Sequence, residues 1–212
     1  MINRMINLVL IVTFGTLLLS GCATQGPILV DFQYQPPQGV SAVAAKATLG
    51  VSPFRDDRGK SASVIGKRSV DSSDQTNDLV VQGTAPDRVT EALRRALKAR
   101  GLAEKDFAVW DLTEAGIPSD GAGLLISGEI KKLWVESKSR FANTTVKAEV
   151  QLRISIADMA QKKIIRVVNV SSTMERQNVT FSTDAVEGAL SDALTAAIDQ
   201  IFTDEELQKR LK

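Results

Sequence analysis

The sequence predicts an α+β fold: a mainly antiparallel sheet, built from a three-strand meander plus an N-terminal strand, with two helices packed on one face. Three observations indicate this fold class. Residues 145–158 alternate between apolar and polar side chains with a period of two, as in a strand with one buried face. Two other segments carry apolar residues at helical spacing. Apolar residues make up 43% of the chain, which is enough for a core between the helices and the sheet.

The N-terminal residues predict a signal peptide that ends at a lipidation site. Arg4 precedes an uncharged apolar run from Ile6 to Leu19, which is shorter than the roughly 20 residues that span a bilayer. The sequence LSGC follows and ends at Cys22, the only cysteine of the chain. This pattern resembles the bacterial lipobox, in which the cysteine becomes the new N-terminus and carries lipid. An ordinary secretory signal with an unmodified cysteine is the alternative.

The lipobox divides the chain into three parts. We expect a signal peptide at residues 1–21, a lipidated tether containing proline and glycine at residues 22–45, and a single α+β domain at residues 46–212. Residues 28–34 within the tether could form an edge strand. Acyl chains on Cys22 would hold the protein on a membrane. Ala23 follows the cysteine where aspartate retains many lipoproteins in the inner membrane, which indicates the periplasmic face of the outer membrane.

The first half of the domain predicts a strand and a charged turn. Residues 47–54 alternate loosely and predict the N-terminal strand. Residues 55–60 form a charged turn, residues 64–66 a short strand, and the polar residues 71–78 a loop.

The first helix is predicted at residues 84–100. Thr84 can cap it, Pro86 lies in the first turn, and Gly101 supplies the stop. Apolar residues recur on one face of this segment at helical spacing.

The second half predicts the meander and the second helix. Strands at residues 124–136, 145–158 and 163–175 are joined by short connections, which indicates antiparallel pairing. The final helix begins after Ser182 or Thr183 and carries an apolar stripe.

The composition argues against several classes of function. The chain has no histidine, which excludes a Ser-His-Asp triad, a Cys-His pair and a histidine-ligated zinc site. Asp56 and Asp57 resemble a metal pair only superficially, because no third ligand is nearby. We therefore expect no enzyme activity, no cofactor and no metal. Paired carboxylates or a Ser-Lys dyad would still allow an enzyme, but no spacing indicates either. Lysine and arginine number 26 against 25 acidic residues, so we expect no nucleic acid partner.

Short motifs along the chain resemble a known family. They are the lipobox, a first strand that runs into Asp57-Arg58, Ile65-Gly66 after it, and a helix that ends in Ala99-Arg100-Gly101-Leu102. With these motifs the chain is similar to the YajG-like family of bacterial lipoproteins. The resemblance implies an outer-membrane lipoprotein without an established catalytic activity.

Two clusters are candidate binding sites for a partner or ligand. The first is the charged segment from Phe54 to Arg58, with arginines that could bind a carboxylate; a solvated turn is the alternative. The second surrounds Trp134, since tryptophan and arginine are enriched at interfaces; the alternative is that Trp134 caps the core. The candidate residues are Phe54, Arg55, Asp57, Arg58, Trp134, Arg140 and Phe141.

Two binding functions follow from these residues. The first is a membrane-attached module, held by the lipid on Cys22, that binds or scaffolds another cell-envelope protein. The alternative is a binder of a lipid, lipopolysaccharide or peptidoglycan fragment in a pocket between the helices and the sheet.

Overall fold

The computed structural model describes residues 26–39, 48–71, 73–119 and 123–211. The signal peptide, the lipobox and Cys22 lie outside the described residues. Within the described part, no helix has the length and apolar character needed to cross a bilayer.

Nine strands form one mixed sheet in which the long strand β7 is central. On one side, β7 pairs antiparallel with β8 over nearly its whole length, and β8 pairs antiparallel with β9. On its other side, β7 pairs parallel with β2, β3 and β4 in succession. Beyond these, β6 pairs parallel with β2, β5 antiparallel with β4, and β1 parallel with β5. The strands are β1 (Ile28–Leu29), β2 (Leu49–Val51), β3 (Arg55–Asp56), β4 (Val64–Val70), β5 (Ser73–Val80), β6 (Glu104–Asp106), β7 (Leu124–Arg140), β8 (Asn143–Asp158) and β9 (Lys163–Asn178).

The predicted fold class is therefore wrong. In the described residues the sheet has nine strands of mixed direction and is accompanied by three α-helices, rather than being a mainly antiparallel sheet with two helices. Strands of two or three residues, such as β2 and β3, are too short to show a period in the sequence. Residues 71–78, predicted to be a polar loop, mostly belong to β5, because an edge position accepts polar side chains on a strand.

The helices lie on one face of the sheet. Helix α1 (Ala85–Ala99) is close to its predicted bounds, and the Thr84 hydroxyl accepts a hydrogen bond from the Asp87 backbone N–H as the predicted cap. Helix α2 (Thr183–Asp199) continues into a 3₁₀ turn (Gln200–Thr203) and helix α3 (Glu205–Leu211). Helix α3, which buries Leu207 and Leu211 against the core, was not predicted from the sequence.

A β-bulge in β7 changes which residues face the helices. Ile130 pairs with Leu152 and Lys132 with Gln151, so Lys131 is an extra residue on β7. Before the bulge the even-numbered residue Ile130 faces the main core, and after it the odd-numbered residue Leu133 does. The shift places Lys132, Trp134 and Glu136 together on the face away from the helices.

The sheet carries a large core on its helical face and a small one on the opposite face. The large core includes Leu93 of α1, Leu190 of α2, and Leu133 and Val150 of the sheet, all fully buried. The small core lies at one end of the opposite face, where residues 107–119 cover β7 and β8. It comprises Trp110, Ile117, Leu125, Ala157 and Met159.

Part of the predicted tether packs against the domain. Val30, Phe32 and Tyr34 are at most 2% exposed and belong to the large core. The Tyr34 hydroxyl accepts a hydrogen bond from Arg100 Nη1 at 2.8 Å and donates one to Asp199 Oδ1 at 2.7 Å. Arg100, from the Ala-Arg-Gly-Leu motif, also pairs with Asp199 at 2.8 Å. This network fastens the N-terminal segment to the ends of α1 and α2.

We expect Tyr34 to ionise above its ordinary value of 10.0 in the native protein, because burial raises its pKa. Because the pKa of Tyr34 is higher in the folded protein than in the unfolded chain, the free energy of unfolding should fall as the pH rises above the pKa of the unfolded chain. Tyr34 is the only tyrosine, so tyrosinate absorbance during a base titration reports it alone. The Tyr34→Phe variant should lose the absorbance change. A native titration midpoint equal to that in denaturant would contradict the buried position.

Candidate functional site

The face of the sheet opposite α1 and α2 is open to solvent around Trp134. Lys132, Trp134 and Glu136 of β7 project from this face, and Lys147 and Glu149 of β8 lie beside them. Trp134 pairs with Glu149 and Glu136 with Lys147 across the two strands. We call this surface the open face. Lysine and glutamate side chains alternate on this surface, so that charged groups surround the aromatic ring of Trp134.

Trp134 forms one wall of a shallow concavity of about 340 Å³. The Lys60 ammonium lies over the indole, 4.8 Å from the ring centroid, in a cation–π arrangement. The indole Nε1–H donates to Glu136 Oε1 at 3.3 Å. The concavity is lined by Arg58, Lys60, Lys131, Lys132, Leu133, Trp134 and Glu136. Trp134 is therefore half-buried at the surface and does not cap the large core.

Ion pairs fix the carboxylates around Trp134. Glu149 accepts hydrogen bonds from Lys132 and from Lys147, and these two bonds hold its pKa below the usual range. A hydrogen bond from Lys138 likewise lowers the pKa of Glu136. The pKa of Lys147 is raised, chiefly by its bond to Glu149. Both carboxyl groups therefore stay ionised at neutral pH, and neither is poised to donate a proton as a general acid.

Arg58, predicted to bind a partner, turns inward. Its side chain is 3% exposed and pairs with both carboxylate oxygens of Asp56, at 2.8 Å from Nε and 2.7 Å from Nη2. Nη1 donates to the carbonyl oxygens of Val64 and Leu133. The hydrogen bonds from Arg58 are also the main reason that the pKa of Asp56 is lowered. Arg58 therefore holds the loop between β3 and β4 in place beside Trp134.

The other residues of the charged segment divide between the core and the surface. Phe54 is 4% exposed, and its backbone N–H donates to Thr90 Oγ1 at 3.0 Å. Arg55 is exposed and donates to the Asp111 carbonyl at 3.1 Å. Asp57 is exposed and pairs with Lys131 at 2.5 Å. Of this segment, Asp57 is thus linked through Lys131 to the Trp134 concavity.

Arg140 and Phe141 lie away from Trp134, at the turn between β7 and β8. Arg140 lies six positions after Trp134 along an extended strand, a distance of about 20 Å. Arg140 pairs with Asp71 at 2.8 Å, and Phe141 is fully exposed. The structure therefore separates the group that the sequence analysis placed around Trp134.

Sequence reasoning missed Lys60 and Lys132 as members of the site. Lys60 belongs to a loop with no periodic signal, and Lys132 reaches the open face because of the bulge at Lys131. Among the described residues, no group of three or more acidic or sulfur side chains is arranged to hold a metal ion.

The free edge of the sheet is partly blocked. Strand β9 pairs only with β8 in the described part of the chain. At Ser171, the Gln200 side chain accepts from the backbone N–H at 3.3 Å and donates to the carbonyl at 2.8 Å. At Ile164, the Glu114 carboxylate accepts from the backbone N–H. These side chains occupy positions where an added strand would bind, which favours the open face over this edge as a docking surface.

A search of solved structures finds several proteins that are similar to this chain. A DUF330-family protein from Xanthomonas campestris is 13% identical, with a TM-score of 0.52 over 82% of this chain and 90% of that one. Protein CT253 from Chlamydia trachomatis is 12% identical, with a TM-score of 0.45 over 79% and 98%. Lipoprotein GNA1162 from Neisseria meningitidis is 9% identical, with a TM-score of 0.32 over 74% and 99%. At 13% identity, the likeness to the Xanthomonas campestris protein shows a shared fold alone.

The sequence comparisons identify the family to which the chain belongs. No curated protein matches it. A family model described as "Uncharacterized lipoprotein" matches residues 43–212, which is most of the chain and all of the predicted domain. The match supports the resemblance to a bacterial lipoprotein family, which rested on the lipobox and on short motifs. The chain belongs to this family of bacterial lipoproteins.

Proposed function

We propose that this lipoprotein is anchored to the periplasmic face of the outer membrane through lipid on Cys22 and binds another cell-envelope protein. The observation that carries the binding role is Trp134, half-buried on the open face and surrounded by ion pairs. Protein interfaces concentrate their binding energy in such aromatic side chains, and a polar rim excludes water around them.

The charges on the open face limit the kind of partner that fits. Lys132 and Lys147 share Glu149, and Lys138 pairs with Glu136, so most charges are already neutralised. Lys60 is exposed and contacts the Trp134 ring. A partner with an apolar or aromatic side chain and a carboxylate would complement the indole and the Lys60 ammonium together.

The alternative ligand, a lipid or glycan fragment held between the helices and the sheet, has less support. A groove of about 540 Å³ lies between β9 and the C-terminal helices, but most of its lining is polar or charged. Arg166 and Asp204 form an ion pair there at 2.8 Å. Trp134 lies on the other face. These contacts favour the protein partner.

Photocrosslinking in intact cells of the native host tests the binding role. A photoreactive residue in place of Lys147 should give one adduct of defined mass, and the same residue in place of exposed Lys209 on α3 should not. Trp134→Ala should lower the adduct yield by more than about tenfold, as for an interface hot spot, without changing the melting temperature greatly. Recovery of free monomer alone, or an adduct unaffected by Trp134→Ala, would count against the proposal.

A further inference from the structure

The N-terminal end of the described chain marks where a lipid anchor would attach. The Gly26 carbonyl accepts a hydrogen bond from Asn77 Nδ2 at 3.3 Å, and Ile28 pairs with Leu79 just beyond it. Cys22 precedes Gly26 by four positions, which limits the reach of the connecting chain to about 14 Å. The end of the sheet near Asn77 is therefore held close to the membrane if Cys22 is lipidated.

The turn between β7 and β8 lies at this same end. Asn77 pairs with Arg68 on β4, and Arg68 pairs with Ser137 on β7, three residues before the turn begins at Arg140. Strand β9 ends there too, because Asn178 pairs with Thr144. We call this region the anchor end; it comprises Gly26, residues 140–143 and residues 178–181.

Two large apolar side chains of the anchor end are exposed. Phe141 at the tip of the turn is 101% exposed, and Val179 is 74% exposed. Single exposed apolar residues are common on soluble proteins and need no explanation alone. Here both lie at the end from which the chain leads to Cys22, where the interfacial region of a bilayer would receive them.

Arg68 provides a second, independent observation at the anchor end. Its guanidinium lies over the Phe181 ring, 4.2 Å from the centroid. In the part of the chain that the structure describes, the Arg68 side chain forms no ion pair or hydrogen bond, and its Nε is buried without a partner. The fully buried Ser137 Oγ and the Asn178 Nδ2 likewise have no partner among the described residues. Buried polar atoms normally have partners. Ser137 is fully buried, whereas the Arg68 and Asn178 side chains are half-buried, so these two are the members of the cluster that an external acceptor can approach.

We propose that the anchor end is a membrane-contact surface, in which Phe141 enters the bilayer interface and Arg68 binds the phosphate of a lipid headgroup. The inference rests on the proposed lipidation of Cys22. Arginine suits this role because its planar fork of N–H donors matches phosphate oxygens. The neighbouring Arg140 is already paired with Asp71, whereas the Arg68 side chain has no anionic partner among the described residues. The contact would fix the orientation of the domain and hold Trp134 of the open face about 20 Å along β7 from the turn at the membrane.

Fluorescence from the tip of the turn tests the contact. The lipidated protein is purified as Phe141→Cys or as Gln161→Cys, labelled with a polarity-sensitive dye, and reconstituted in vesicles of phosphatidylethanolamine and phosphatidylglycerol. Gln161 is exposed in the turn between β8 and β9, about 50 Å away at the opposite end of β8. The dye at position 141 should shift to the blue and be quenched by nitroxide-labelled lipid, whereas the dye at 161 should not. Equal spectra and equal quenching at the two positions would overturn the proposal.

Substitution of Arg68 tests the headgroup contact. In the Phe141→Cys background, Arg68→Gln should lower the ratio of quenched to unquenched dye about fivefold, as expected for one basic residue at an anionic surface. Arg153→Gln, at an exposed arginine distant from the anchor end, should leave the ratio unchanged. An equal effect of the two variants, or none from Arg68→Gln in a protein with an unchanged melting temperature, would refute the role of Arg68.

Label stoichiometry separates failure of the contact from failure of the anchor. A thioether at Cys22 leaves one free thiol per chain, so each variant should take one dye. Two dyes per chain would show an unmodified Cys22 and refute the proposed anchoring. Quenching at position 141 after mixing that chain with vesicles would then support the contact surface, and lack of quenching would refute it as well.

Discussion

Replacement of Arg58 by methionine is expected to lower the free energy of unfolding by about 3–5 kcal/mol, the usual cost of removing one member of a buried ion pair. The Arg58 side chain is 3% exposed, and that of its partner Asp56 is 17% exposed. Methionine keeps much of the aliphatic volume, so the loss reports the guanidinium bonds rather than a cavity.

The effect is large because one guanidinium connects several segments of backbone. It donates to carbonyl oxygens of Val64 at the start of β4 and Leu133 in β7, and of Ala62 in the preceding loop. Without Arg58, these acceptors and the Asp56 carboxylate would lose their partner in a site that water reaches poorly. We therefore expect the β3–β4 loop to detach from β7 and the Lys60–Trp134 contact to be lost.

Arg55→Met is the matched control for this variant. Arg55 lies in the same segment, is exposed, and makes one hydrogen bond to a backbone carbonyl. Its replacement should change the free energy of unfolding by less than about 0.5 kcal/mol. Urea denaturation followed by circular dichroism measures both variants. Equal stability of Arg58→Met and the parent protein would show that the guanidinium is not buried as described.

The elements that could be predicted from the sequence are those long enough to show a period. Alternation over β8 and the cap at Thr84 of α1 are local signals that tertiary contacts did not override. The parallel strands β2, β3 and β6 have two or three residues each and depend on pairing with distant segments. No local pattern encodes such pairing, which is why the strand directions were predicted wrongly.

The candidate site was predicted in part for a similar reason. Trp134 stands out in sequence because tryptophan is rare, with two in the chain. Whether Arg58 points outward or inward depends in part on the carbonyl group of Leu133, 75 positions away, and no spacing in the sequence reveals this contact. The bulge at Lys131 likewise depends on the register with β8, and it decides which residues accompany Trp134.

Trp110→Ala is expected to lower the free energy of unfolding by about 3–5 kcal/mol, as for other large-to-small substitutions of buried aromatic residues. Trp110 is 1% exposed at the centre of the small core. Its indole N–H donates to the Thr113 carbonyl at 2.8 Å, and its backbone N–H donates to Ser52 Oγ at 2.8 Å. Val109→Ala, at an adjacent residue that is 70% exposed, should have almost no effect in the same urea titration.

The small core should also be energetically independent of the large one. Ile198, fully buried in α2, belongs to the large core on the opposite face of the sheet, and Ile198→Val should cost about 0.5–1.5 kcal/mol alone. Because the two sites share no contact across the sheet, the double variant with Trp110→Ala should show the sum of the single losses within about 0.5 kcal/mol. A larger deviation would mean that β7 and β8 transmit packing changes between their two faces. In that case the segment 107–119 would act as part of the main core, and its loss would loosen α2 as well as the end of the sheet.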